Sequence, residues 1–132
     1  GGTHTARLVL FGSGLVAIVI AVTILFAPAA FYASYGIDVI GDATLANELK
    51  APAGALLVAG LVMFAGAFRW ELAVVSLTTA AVVYLSYGLS RVTSIAIDGV
   101  PHSGMVNAAA VELAIGAICL LTLLQVRQTN TN

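Results

Sequence analysis

Charged side chains are rare in this sequence, and several of them stand close together. Residues 87–104, YGLSRVTSIAIDGVPHSG, contain Arg91, Asp98 and His102, and Glu112 follows inside an otherwise uncharged run. A guanidinium donates hydrogen bonds to anionic or carbonyl groups, whereas a carboxylate or an imidazole can take up and release protons. These residue types therefore allow two kinds of chemistry, which are the binding of a polar ligand group and proton transfer.

Other kinds of site find no support in the sequence. The two histidines, His4 and His102, form no H-x-x-x-H pattern, and the single cysteine, Cys119, forms no C-x-x-C pattern, so we predict no metal site. The net charge is −1 and no basic cluster is present, so we predict no nucleic-acid partner. The sequence does not indicate a particular cofactor.

The composition indicates a membrane protein. Of 132 residues, 61% are hydrophobic and 8% are charged, whereas about 25% of the residues of a soluble domain are charged. Four long apolar runs each approach the roughly 20 residues that cross a bilayer, and the first exceeds the apolar core of a signal peptide. We therefore predict an all-α integral membrane four-helix bundle with antiparallel up-down spans, forming a single domain over residues 1–132. The predicted spans are residues 8–27, 43–68, 72–91 and 105–125.

Glu112 is the charged group that these spans must accommodate. It lies eight residues into span four from Gly104, at a depth of roughly 12 Å. A carboxylate in hydrocarbon is costly, so it must be neutral, paired or beside a watery cavity. Tyr84 lies seven residues inside Arg91 on span three, so it shares a face with Arg91 and falls near the depth of Glu112.

The sequence therefore predicts a polar cluster in the outer half of the bundle. Arg91 would pair with Glu48, Asp98 or Glu112, and His102 would close the loop above them. The candidate residues, either ligand-binding or structural, are Glu48, Lys50, Tyr84, Tyr87, Arg91, Asp98, His102 and Glu112. In the structural alternative, one arginine ties helices together and fixes their registry.

Two further features border this predicted cluster. Pro52 has no N–H, so the Glu48 carbonyl loses its usual helical partner. The proline then marks either a packing kink or an opened turn that lines a polar cavity. In the loop before span two, Phe31, Tyr32 and Tyr35 suit the membrane–water boundary, where amphipathic rings settle.

The distribution of basic residues predicts the orientation. Arg7, Arg69 and Arg127 fall on one side of the predicted bundle, and Lys50 and Arg91 fall on the other. Because Lys and Arg accumulate on the cytoplasmic side, we predict that both termini are cytoplasmic.

Three segments of the chain resemble a known family. They are ANELKAPAG at the start of span two, GLSRVTSIAIDGVPH after span three, and the glutamate in span four. They are similar to a poorly characterised family of small bacterial four-helix membrane proteins related to the DoxX-like superfamily. The matching residues are Asn47, Glu48, Lys50, Gly54, Arg91, Asp98, Gly99, Pro101 and Glu112. The resemblance implies a four-helix bundle in the bacterial inner membrane, and it implies a quinone-like ligand or a partner subunit because some DoxX-like relatives are subunits of quinone-linked oxidoreductases.

These observations lead to one functional prediction and one alternative. We predict a small non-catalytic integral membrane protein, an accessory subunit or a binder of a lipid-like or quinone-like ligand. Its partners would be membrane lipid, that ligand, and a partner membrane subunit or a second copy of the chain. The alternative is a membrane enzyme or proton-handling protein in which Glu112 is the acid–base group.

Overall fold

The protein is an all-α bundle, as predicted. The computed structural model describes residues 2–131, and in that range it contains helices and their connections but no strand. Gly1 and Asn132, which the predicted single domain includes, lie outside the described residues. The α-helices are α1 (Gly2–Phe26), α2 (Pro28–Ala33), α3 (Ala43–Phe68), α4 (Ala73–Asp98) and α5 (Ser103–Thr131), and a short 3-10 helix (Trp70–Leu72) precedes α4.

The four long helices indicate an integral membrane protein. Four segments are each long and apolar enough to cross a membrane, namely α1, α3, the 3-10 turn together with α4, and α5. Large apolar side chains such as Val58 and Leu121 are exposed on their outer faces. In a bilayer these side chains contact lipid, whereas in water they would form a large exposed apolar surface, which soluble proteins rarely have.

Local signals in the sequence set the helix ends. Asp42 caps α3, because its Oδ1 accepts a hydrogen bond from the Leu45 amide at 2.9 Å, which satisfies one of the free N–H groups of the first turn. Gly99 ends α4 with a φ of 102°, a conformation that glycine adopts without steric cost. Pro52 does not end its helix, since α3 continues on both sides of it.

The connections divide the bundle into two ends. The start of α1 and the end of α5 lie with the Trp70–Leu72 turn at one end, which we call the terminus side. There the Arg7 guanidinium is 5.8 Å from the Trp70 ring centroid. The opposite end, the loop side, holds α2 and residues 99–102, where Tyr35 packs closely against Gly104.

The long helices associate as two tight pairs, α1 with α3 and α4 with α5. At Gly14 of α1, a Cβ atom would lie 2.7 Å from the backbone nitrogen of Phe64 on α3. At Gly88 of α4, a Cβ atom would lie 2.6 Å from the Leu113 side chain on α5. Glycine therefore permits both close approaches, as small residues commonly do between membrane helices.

The buried core lies where the two pairs meet, toward the terminus side and the middle of the bundle. Leu10, Met63, Leu77 and Cys119 are fully buried there, one from each long helix. Ser76 of α4 is also fully buried, and its Oγ donates to the Val62 carbonyl of α3 at 2.7 Å, which joins the two pairs. On the loop side the pairs are separated by a cavity.

Candidate functional site

A cavity of about 320 Å³ occupies the loop-side half of the bundle, and all five α-helices line it. Its volume lies at the lower end of the roughly 300–1,000 Å³ that is usual for small-molecule sites. Most of its wall is apolar. The apolar lining residues are Val16, Ala17, Ile20, Ile24, Phe31, Leu49, Pro52, Ala53, Leu56, Val83, Met105, Ala108 and Val111. The polar lining residues are Tyr32, Tyr35, Glu48, Tyr84, Tyr87, Arg91 and Glu112.

Arg91 and Glu112 form an ion pair in the wall of this cavity. Arg91 Nε of α4 donates to Glu112 Oε1 of α5 at 2.6 Å. The side chains are 34% and 16% exposed, so both charges are largely withdrawn from solvent. The carboxylate that the sequence required to be neutral, paired or beside a cavity is thus paired and also lines a cavity. Of the three partners considered for Arg91, the structure shows Glu112.

Tyr84 fixes the floor of the cavity. Its hydroxyl donates to the Ser13 carbonyl of α1 at 2.5 Å, and Ser13 Oγ lies 3.3 Å from Cys119 Sγ of α5. Two polar contacts of Ser13 therefore join three helices in the middle of the bundle. Sequence reasoning did not single out Ser13, because a lone serine in an apolar run carries no signal of its partner.

The aromatic residues of the α2 region close the loop-side end of the cavity. The Phe31 ring lies 5.0 Å from Tyr32 and 5.4 Å from Tyr35, measured between centroids. Burial raises the pKa of Tyr32 above its ordinary value, Tyr87 raises it further, and Arg91 opposes them. Tyr32 therefore stays a neutral hydroxyl near the Arg91 guanidinium. The sequence placed these rings at the membrane boundary but did not assign them to the site.

Five of the eight predicted residues lie around this cavity, namely Glu48, Tyr84, Tyr87, Arg91 and Glu112. Pro52 lines it as well, one turn beyond Glu48 on α3.

The other three predicted residues lie away from the cavity wall. Lys50 is half-buried on α3. Asp98 is exposed and accepts a hydrogen bond from Ser94 Oγ at 2.9 Å. The His102 ring lies 6.1 Å from Tyr35, and its Nδ1 accepts from the Gly104 amide at 3.0 Å, so it supports the start of α5.

Arg91 also borders a second, more open cleft of about 330 Å³. This cleft is lined by Tyr87, Ser90, Arg91, Ser94, Pro101 and Met105. Tyr87, Arg91 and Met105 therefore line both the cavity and the cleft. Among the described residues, no group of three or more His, Cys, Asp or Glu side chains could hold a metal ion.

The comparisons with known proteins give a family and no activity. The family model described as "Domain of unknown function (DUF4345)" matches residues 5–123, which include every residue that lines the cavity. No curated protein and no solved structure matches the chain.

Proposed function

This chain belongs to the DUF4345 family, and we propose that it is a small non-catalytic integral membrane protein that binds a lipid-like or quinone-like ligand in its loop-side cavity. The observation that carries the proposal is an apolar cavity of about 320 Å³ with an ion pair in its wall. Buried ionisable groups inside a membrane bundle usually mark a site.

The dimensions of the cavity support a ligand with an apolar body. On α4 the lining extends from Val83 to Arg91, and on α3 it extends from Leu56 to Glu48. Each separation corresponds to roughly 12 Å along the helix axis at 1.5 Å per residue. A short alkyl chain or a substituted ring fits this length, and its apolar surface would replace unfavourable contacts of water with the apolar wall.

The polar end of the cavity supports a ligand with a hydrogen-bonding head. Arg91 donates to Glu112 through Nε, which is one of the five N–H donors of a guanidinium. The terminal nitrogens therefore retain donors for a carbonyl or hydroxyl oxygen. Tyr87 and Tyr32 add hydroxyl groups in the same wall.

The same ion pair favours binding over proton transfer at Glu112. An acid–base group must exchange protons with its substrate, and the 2.6 Å contact with Arg91 Nε already engages Oε1 of Glu112. For this reason we propose a protein without its own catalytic activity, acting as a binder or as an accessory subunit.

Location and partners form part of the proposal. We propose the bacterial inner membrane with both termini cytoplasmic, which follows the distribution of Arg7, Arg69 and Arg127 on the terminus side. A DoxX-like relationship, together with a partner membrane subunit or a second copy of the chain, is proposed from the resemblance of the ANELKAPAG and GLSRVTSIAIDGVPH segments.

Native mass spectrometry of gently purified protein tests the binding proposal. We expect a co-purifying small molecule on the wild-type protein and its loss from Arg91→Ala. The control is Arg69→Ala, which removes an exposed arginine that pairs with Glu71 at the opposite end of the bundle and should keep the molecule.

A second pair of variants separates binding from helix packing. Ala108→Phe places a ring in the cavity, whereas Ala110→Phe places the same ring on an exposed face of α5. We expect the first to displace the ligand and the second to retain it, with circular dichroism showing a folded bundle for both. A wild-type protein that carries no small molecule under any gentle condition would show that the ion pair serves only to fix α4 against α5.

A further inference from the structure

We infer that the cavity selects an uncharged amphiphile over an anionic one, and that Glu48 is the residue that determines this preference. The inference rests on the proposed function, since it concerns the class of ligand that the same cavity accepts.

The wall carries more negative than positive charge. Its charged residues are Arg91, Glu112 and Glu48, and Arg91 is already paired with Glu112 at 2.6 Å. Glu48 forms no ion pair within the described part of the chain. Lys50 does not line the cavity, and residues two apart on a helix do not face each other. The cavity wall therefore holds one guanidinium and two carboxylates.

An anionic head would add a third negative charge to this wall. To reach Arg91 it must either share the guanidinium with Glu112 or displace the Glu112 carboxylate from a largely buried position. Both arrangements place like charges close together where solvent screens them poorly. An uncharged head can instead accept from the terminal nitrogens of Arg91 while the Nε contact to Glu112 stays intact.

The α3 wall also offers acceptors that an uncharged hydroxyl can use. Pro52 cannot donate the amide hydrogen bond that the Glu48 carbonyl would receive in a regular helix. Both residues line the cavity, so the carbonyl and the carboxylate of Glu48 can each accept from a ligand hydroxyl. A ligand head that donates to Glu48 and accepts from Arg91 would form hydrogen bonds with both the α3 and the α4 walls of the cavity. The ligand class is therefore an uncharged single-chain amphiphile with a hydroxyl-bearing head.

The test compares two probes with chains of similar length, monodecanoylglycerol and decyl sulfate. Each is titrated into the full-length protein in micelles of a bulky uncharged detergent, and native mass spectrometry measures the bound fraction. We expect the wild-type protein to bind monodecanoylglycerol at least tenfold more tightly than decyl sulfate. Glu48→Gln should reduce this ratio at least threefold. Glu48 is exposed, so the substitution should leave the fold intact, and circular dichroism checks this.

Asp98→Asn is the matched control. It removes the same charge on the same side of the bundle, but Asp98 does not line the cavity, so the ratio should stay unchanged. Equal changes for the two variants would show a general surface-charge effect and overturn the role of Glu48. Decyl sulfate binding to the wild-type protein as tightly as monodecanoylglycerol would overturn the inference and leave the proposed function standing. Absence of binding by both probes, with no co-purifying molecule, would overturn the proposed function itself.

Discussion

The ion pair between Arg91 and Glu112 should contribute measurably to stability, and a double-mutant cycle can isolate its contribution. The cycle compares Arg91→Ala, Glu112→Ala and the variant with both changes. Removing one partner leaves a poorly solvated charge without compensation, whereas removing both leaves neither charge. We therefore expect the double variant to be clearly more stable than the sum of the two single losses predicts.

The magnitude follows from the geometry of the pair. Unit charges about 4 Å apart attract by about 4 kcal/mol at an effective dielectric constant of about 20. Side-chain exposures of 34% and 16% mean that partial desolvation offsets some of this attraction. We expect a coupling energy of about 2 kcal/mol, which lies between the values of about 0–1 kcal/mol for exposed pairs and about 3–5 kcal/mol for breaking a buried pair.

The assay is equilibrium unfolding in mixed micelles with an increasing fraction of dodecyl sulfate, followed by circular dichroism. The chain contains its own reference pair, because Arg69 and Glu71 approach to 2.7 Å but are 69% and 61% exposed. The corresponding cycle at this pair should give a much smaller coupling energy, because solvent screens two exposed charges. If the coupling between Arg91 and Glu112 is no larger than that of the reference pair, the assignment of a desolvated, stabilising ion pair is refuted.

Two further predictions concern helix packing and burial. Gly14→Ala should lower the free energy of unfolding by about 1–3 kcal/mol, since overpacking must push α1 away from the Phe64 backbone. The control is Gly12→Ala, where nothing lies within 4 Å of the added Cβ, and it should lower the free energy of unfolding far less. Equal losses for the two variants would contradict the close α1–α3 contact. Native Cys119 should resist alkylation by a water-soluble maleimide because its side chain is fully buried, whereas the exposed position in Ser94→Cys should react. Comparable labelling rates at the two cysteines, measured by mass spectrometry, would show that the core is open.

The apolar runs were enough to predict the four-helix fold, but they could not fix the helix ends. The predicted third span ends at Arg91, where the uncharged run stops, yet α4 continues to Asp98. A helix can extend beyond the hydrocarbon, so its end depends on a local stop such as Gly99 rather than on charge. The α2 helix has six residues, too few to produce a periodic apolar pattern that the sequence could reveal.

Helix rise and periodicity were enough to predict that Tyr84, Arg91 and Glu112 lie at related depths and faces. These rules apply along one helix or between antiparallel neighbours, so they say little about which helices pair. The pairing of α1 with α3 and of α4 with α5 brings apolar residues such as Ile20 and Val111 into the cavity wall. In a membrane helix these side chains do not differ in type from those that face lipid, so the sequence could not identify them.

The division into two helix pairs has a mechanical consequence. The ion pair between Arg91 and Glu112 lies within the α4–α5 pair, so a separation of the two helix pairs at the loop side would leave it undisturbed. Ser13 is different, because its carbonyl and hydroxyl contact Tyr84 and Cys119 of the opposite half. Widening the loop-side end of the cavity for a larger ligand would strain the contacts of Ser13 first. These contacts therefore limit how far the two helix pairs can separate.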